Sequence, residues 1–268
     1  MPAADTVFAG SIPGIYDRYM VPLLFSPYAA VVAGRARALN PARILETAAG
    51  TGVVTAALHD ALPDSDIVAT DLNPPMLDVA ASRIRSRKVR FEQADAQSLP
   101  FADASFDLVV CQFGIMFVPD KVAANAEARR VLAQGGRYLL VVWDRVERNL
   151  ATSAVGEAVA QLFPDDSATF YDRIPFRYHD PAIIEHDLLA AGFDDIAFET
   201  VALRSRARSA AEAAKGLCQG SPMRTEIEKL GPGALERSTE AAEQALRRFE
   251  GPDGFDAPMS AHLVVATR

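Results

Sequence analysis

Two acids and a run of small residues stand out for the chemistry they can do. Glu46 closes a short apolar run, Ile44-Leu45, and is followed by Thr47, Ala48, Ala49, Gly50, Thr51 and Gly52. With no bulky side chains in the way, such a loop lets backbone amides approach a ligand, and the carboxylate points into the same crevice. Asp71 stands nineteen residues past Gly52, at the end of a second apolar run, DIVATD. A carboxylate there can accept from both hydroxyls of a ribose. Leu72 and Met76 follow, placed for apolar contact with a flat base, although Met76 suits core packing equally well. Taken alone, the glycine loop also fits a tight strand-to-helix turn with no ligand.

These residues need elements to hold them, and the chain supplies strand and helix in alternation. RILET reads as a strand, followed by a helix from about Val53 to Leu62 that Pro63 stops. DIVATD is a second strand, and LNPPMLDVAASRI starts a helix with Pro74 and Pro75 in its first turn, where a missing amide hydrogen costs least. KVRFEQAD gives a third strand ending at Asp95. After the loop AQSLPFADAS, the fourth strand FDLVVCQF carries Leu108, Val109 and Val110 in one apolar run, as in a parallel strand covered on both faces. A helix from about Val122 to Leu132 ends in a glycine-rich stop, Gln134-Gly135-Gly136, before a fifth strand, RYLLVVWD. Five alternations predict a parallel α/β sheet.

Outside this core the rhythm changes. Residues 1–40 hold Tyr16 and Tyr19, three apart and so on one face of an α-helix, as a lid or as surface packing. Residues 145–179 contain a helical stretch and a polar loop with Tyr171, Phe176, Tyr178 and His179. The helix PAIIEHDLLAAG and the strand IAFETVAL follow, then alanine-rich amphipathic pieces over 207–250 and a last strand over 259–267. The expectation is one domain over 1–268: a lid segment (1–40), a cofactor-binding core (41–144), two cap insertions (145–179 and 207–250) and the final strand.

The chain has 268 residues, 50% hydrophobic and 23% charged, with a formal net charge of −8. That balance argues against broad binding to nucleic acid or to anionic membranes. Tyr19–Val32, the most apolar early stretch, is broken by Pro22 and Pro27 and is too short to span a bilayer. No cationic, then apolar, leader opens the chain. Cys111 and Cys218 match no zinc spacing, and no other metal-ligand spacing appears, so a reduced cytoplasmic protein without a metal is expected. Nothing speaks to the oligomeric state.

Four blocks resemble the class I S-adenosylmethionine-dependent methyltransferases, most of all the small-molecule branch related to the ubiquinone and menaquinone C-methyltransferases. ILETAAGTG is similar to the family's acid-and-glycine loop, and ATDLNPPML to its ribose and adenine block. QADAQSLPFADASFDLVV resembles the adenine-edge block with the fourth strand, and EARRVLAQGGRYLLVVW the helix, turn and strand that follow. The resemblance implies a doubly wound, mostly parallel, seven-stranded Rossmann-like sheet with helical cap insertions, and S-adenosylmethionine as cofactor. It implies that Gly50 and Gly52 admit the methionine part and that Glu46 orients its ammonium group. Asp71 would bind the ribose, with Leu72 on the adenine. Asp95 and the Ala96 amide would address the adenine edge, and Gln112 would lie near the transferring methyl. Ala48 departs from the pattern, standing where a glycine is usual. Gln134 replaces a common proline.

Methyl transfer from a sulfonium needs alignment and exclusion of water more than a catalytic dyad. His179 is the candidate base should the acceptor have to lose a proton. The acceptor is expected to be a small apolar or aromatic molecule, from Tyr16, Tyr19, Phe113, Met116, Phe117, Trp143, Phe176 and Met223 in the outer segments and strand ends. Tyr16, Tyr19 and the 207–250 insertion are expected to form a cap at the cofactor. Two other readings stay open: a non-catalytic S-adenosylmethionine-binding protein, and an NAD-dependent oxidoreductase. The latter's G-x-G-x-x-G fingerprint fails here because Thr55 stands at its last glycine.

Overall fold

The computed structural model describes residues 8, 10–164 and 170–268. A short helix α1 (Ile12–Ile15) leads into a π-helix over Tyr16–Phe25 and then into α2 (Ser26–Leu39). The alternating part follows as β1 (Arg43–Thr47), α3 (Val53–Ala61), β2 (Asp66–Asp71), α4 (Pro74–Arg83), β3 (Val89–Gln93), β4 (Phe106–Gln112), α5 (Lys121–Val131) and β5 (Leu132–Trp143). Then come α6 (Leu150–Leu162), α7 (Phe170–Arg173), α8 (Pro181–Ala190), β6 (Asp195–Ala207), α9 (Ala210–Gln219), α10 (Met223–Lys229) and α11 (Ala234–Leu246). A two-residue strand β7 (Glu250–Gly251) and the long β8 (Gly254–Thr267) complete the elements. Several helices start where a side chain satisfies a free amide. Asp120 accepts from Ala123, Asp180 from Ala182 and Ser209 from Glu212.

The strands form one sheet in the order β3-β2-β1-β4-β5-β8-β6, with β7 paired to β8. Strands β1 to β5 run parallel, whereas β8 lies antiparallel to β5 from Arg137↔Thr267 to Trp143↔Ala261. This is the doubly wound, mostly parallel α/β sheet expected, with the two-residue β7 added. The strand order reverses between β1 and β4, and in such sheets ligands bind there, outside the carboxyl ends of the strands. The carboxyl ends of β1, β2 and β4 carry Glu46, Asp71 and Gln112.

Some bounds differ from the sequence reading. Strand β3 ends at Gln93, short of Asp95, which makes only an isolated bridge to Ser98. The Gln134-Gly135-Gly136 stop lies inside β5, where the register against β4 shifts between Phe106 and Leu108. The glycines therefore absorb a bulge instead of ending an element. Strand β8 starts at Gly254, ahead of the expected 259, because it turns back on β7 in a tight hairpin.

Contacts divide the chain into two compact units. The first comprises Met1–Pro27, Asp144–Arg177 and Ala202–Ser260, and the second Tyr28–Trp143, Tyr178–Val201 and Ala261–Arg268. Most of the expected lid and insertions falls in the first, except 28–40 and 178–179. Residues 1–7, 9 and 165–169 of those segments lie outside the described residues.

Within the first unit the π-helix lies against α9, and α11 against both α6 and α9. The π winding undoes the shared face of Tyr16 and Tyr19. Its hydrogen bonds run i→i+5, as from the Ser26 amide to the Val21 carbonyl, so residues three apart no longer form one stripe. Tyr16 stacks on Phe25 at 5.1 Å, while Tyr19 lies between Arg18 and Lys215. In the second unit, Phe113 stacks on Trp143 at 3.7 Å and Tyr28 meets both rings edge-on.

Candidate functional site

Glu46 stands near the end of β1, between Ala69 of β2 and Val110 of β4, and is 3% exposed. Burial pushes its carboxyl up to about 8. The Thr55 hydroxyl, donating to Oε2 at 2.5 Å, pulls the other way, and Asp71 adds a smaller upward push. Thr55 is fully buried on α3 and reaches back beneath the loop it follows.

Asp71 ties two loops together. Its Oδ2 accepts from the Gly50 amide at 2.9 Å, and its Oδ1 from the Asn73 amide at 2.8 Å and the Asn73 side chain at 3.3 Å. Burial raises its carboxyl above the ordinary value, against the pull of those amides. The glycine loop is anchored a second time where the Ala49 amide donates to the Thr70 carbonyl at 2.9 Å. It coils through left-handed residues at Ala48 (φ 54°), Gly50 (57°) and Gly52 (82°). At Gly52 a β-carbon would also come within 2.8 Å of the Ala80 methyl on α4.

Ala48 is itself left-handed, a conformation that favours glycine, and its methyl group has a counterpart. A β-carbon on Gly114 would lie 2.3 Å from the Ala48 methyl, so the alanine occupies room that Gly114 leaves open.

Thr51 is 3% exposed, and its hydroxyl has no hydrogen-bond partner among the described residues, a polar atom open to a ligand inside the loop. Leu72, next to Asp71, is half exposed, an apolar face suited to a flat ring. Asp95 is exposed and its carboxylate accepts from the Gln97 amide at 2.9 Å. Gln97 in turn accepts from the Asp120 amide, which fixes the Asp95 loop to the start of α5. Ala96 is half-buried in that loop. Gln112, 9% exposed, ends β4 opposite Val141.

Met76 is 3% exposed and lies on α4, as its core reading requires. Tyr16 and Tyr19 belong to the first unit. His179 is half-buried on the loop before α8, between Asp180, which caps that helix, and Tyr178, whose hydroxyl donates to Asp187 at 2.9 Å. Of the aromatic and methionine residues expected to line an acceptor pocket, Phe113, Met116, Trp143, Phe176 and Met223 are buried, and the rings among them pack on one another or on neighbouring rings.

Sequence reading missed Thr55 as a partner of Glu46, Asn73 and Gln97 as holders of the two aspartates, and Gly114 as the complement of Ala48. Thr55 alone had left a signal: it is the residue that breaks the dinucleotide fingerprint.

A family described as a methyltransferase domain matches residues 45–140, the stretch that carries all of these loops. The ubiquinone/menaquinone biosynthesis C-methyltransferase of Stutzerimonas stutzeri is 32% identical over 173 residues, 59% of this chain and 68% of that one. The chain belongs to the class I S-adenosylmethionine-dependent methyltransferases. A second relative of this methyltransferase chain, the demethylmenaquinone methyltransferase of Deinococcus radiodurans, is 41% identical over 111 residues, 41% of this chain and 46% of that one. The chain thus spans about half the length of the first curated relatives it matches. Among solved structures, the YcgJ protein of Bacillus subtilis superposes with a TM-score of 0.56 over 90% of this chain and 98% of its own. At 21% identity, that likeness bears on the fold.

The residues present fit the cofactor of the methyltransferase family. A loop without bulky side chains, an unpartnered buried hydroxyl at Thr51, two buried carboxyls and an exposed Leu72 supply small, polar, acidic and apolar surfaces in turn. Among the described residues, no group of three or more His, Cys, Asp or Glu could hold a metal ion, and no helix is long and apolar enough to cross a membrane.

Proposed function

We propose that this chain transfers the methyl group of S-adenosylmethionine to a small, apolar or aromatic acceptor. The observation that carries the reading is the buried pair of locks at the switch point, Thr55 on Glu46 and Gly50 on Asp71. An NAD-dependent oxidoreductase would need a glycine where Thr55 stands, and Thr55 is committed to Glu46.

When bound, the cofactor supplies a methyl group already activated on a sulfonium. The chain's share is to hold and orient it. Glu46 would meet the cationic amino group, Asp71 the ribose hydroxyls, Leu72 the base, Asp95 and the Ala96 amide the edge of that base, and Gln112 the reacting end. Preorganised hydrogen bonds on these carboxyls reduce the ordering that binding would otherwise require. His179 is the proposed base for an acceptor that must lose a proton. The named relatives act in quinone biosynthesis, which supports a phenolic or quinol ring as the acceptor class. Two buried free cysteines support a reduced, cytoplasmic setting.

Calorimetry with S-adenosylhomocysteine and with NAD tests the reading: the former is expected to bind and NAD not to, and tighter binding of NAD would overturn it. A non-catalytic binder would take up S-adenosylmethionine yet methylate none of a panel of phenols and quinols.

A further inference from the structure

The chain carries a net charge of −8, yet one cleft of the first unit gathers cations. The cleft encloses about 430 Å³ and is lined by Arg18, Tyr19, Pro22, Arg206, Arg208 and Glu212, with Ala207 and Asp253 completing the wall. That volume suits a small molecule better than a macromolecule. Three separate stretches of the chain supply these residues: the π-helix, the end of β6 into the start of α9, and the β7–β8 turn.

The local charges do not cancel. Arg208 pairs with Glu212, while Arg204 and Arg206 share Asp256. Arg18 forms no ion pair or hydrogen bond with a described residue; its guanidinium lies over the Tyr19 ring, 5.2 Å from the centroid. Lys215 approaches the same ring at 5.3 Å. The field of Arg18 also reaches Glu212, whose carboxyl is held below the ordinary range chiefly by Arg208. Three cations (Arg18, Arg206 and Arg208) thus line the cleft with two carboxylates (Glu212 and Asp253). Like charges gathered along one cleft repel each other, and an anion between them relieves that repulsion.

We propose that this cleft binds a small molecule through an oxyanion, a carboxylate or a phosphate, held by Arg18 and Arg206, with the apolar body of the molecule against Pro22 and Ala207. The planar fork of a guanidinium matches both oxyanions, and two forks from different elements give the site its selectivity over a single surface charge. Of the residues that the sequence placed at the cofactor only Tyr19 lines the cleft, and neither Arg18 nor Arg206 is among those proposed to hold it, so the oxyanion site goes beyond the methyl-transfer reading and is tested without it.

Calorimetry on the full chain with sodium benzoate, inorganic phosphate and neutral benzamide tests the proposal. At least one oxyanion is expected to bind and benzamide not to. Binding of benzoate alone points to a carboxylate on an apolar body, and binding of phosphate alone to a phosphoryl group. Arg18→Gln and Arg206→Gln should each weaken the bound oxyanion by about threefold, and together by about tenfold, as for partly exposed ion pairs. Arg90→Gln, on β3, should leave it unchanged. If circular dichroism shows that Arg18→Gln fails to fold, Arg206→Gln decides. Neither oxyanion binding at about ten millimolar, or equal binding in the parent and the folded variants, overturns the site.

Discussion

Burial keeps the Glu46 carboxyl protonated at neutral pH in the folded chain, whereas its ordinary value of 4.5 leaves it ionised when the chain unfolds. Between about pH 4.5 and 8 the folded state therefore binds the extra proton, so stability falls as pH rises through that window and levels off above it. Asp71, also raised, adds to the same trend. Thermal melts from pH 5 to 8.5 should show the melting temperature dropping, and Glu46→Gln should flatten the drop; a variant that falls as steeply as the parent would assign the slope elsewhere. At Asp71 the outcome is read in affinity. Asp71→Ala removes charge-assisted hydrogen bonds and should weaken S-adenosylhomocysteine by roughly ten- to a hundredfold. It also strands the buried Gly50 amide, so a small loss of melting temperature is expected, and an unchanged dissociation constant would show that the ribose is held elsewhere. The acids and glycines were legible because their chemistry is written in residue type. Thr55, Asn73 and Gln97 were not, because a hydroxyl or amide becomes a holder only when the backbone turns it toward its carboxylate.

At the scale of elements, the loop after β1 and the loop after β4 must fit each other, and Ala48 and Gly114 are where they do. Gly114→Ala should cost about 1–3 kcal/mol by overpacking. Adding Ala48→Gly should recover part of it, the remainder reflecting the 3.0 Å approach of the new β-carbon to the Cys111 sulfur. Urea unfolding of the two single variants and the double variant measures the coupling, and strict additivity would show that the loops adjust independently. Elements with a clean apolar run, such as β2 and β4, could be read to within a residue, since a parallel strand covered on both faces leaves little choice of bounds. The π-helix over Tyr16–Phe25 could not be, because its spacing is not that of the α-helix against which apolar residues are judged. The bulge at Gly135 and the β7–β8 hairpin were hidden for a related reason: glycines that end a helix and glycines that kink a strand look alike in one dimension.

For the whole molecule, the alternating core was legible from end to end, and the division into two units was not. The segments of the first unit lie far apart in sequence and have no shared period; only their packing joins them. A related gap holds for the aromatics, since nothing in a sequence separates a ring that lines a pocket from one that fills a core. The order of strands also has a consequence in time. Each of β1, β2 and β4 has a neighbour that the chain reaches within one crossover, so those pairs can assemble as short loops close. Strand β6 lies beside β8, which follows some fifty residues later, and β8 must itself find β5 across more than a hundred residues, as in Tyr138↔Ala266. Contacts so distant along the chain form late. Pulse-labelled hydrogen exchange during refolding should find amides of β1 and β4 protected first and those of β6 and β8 together in a slower phase. Simultaneous protection of all four would mean that the edge of the sheet forms with its centre.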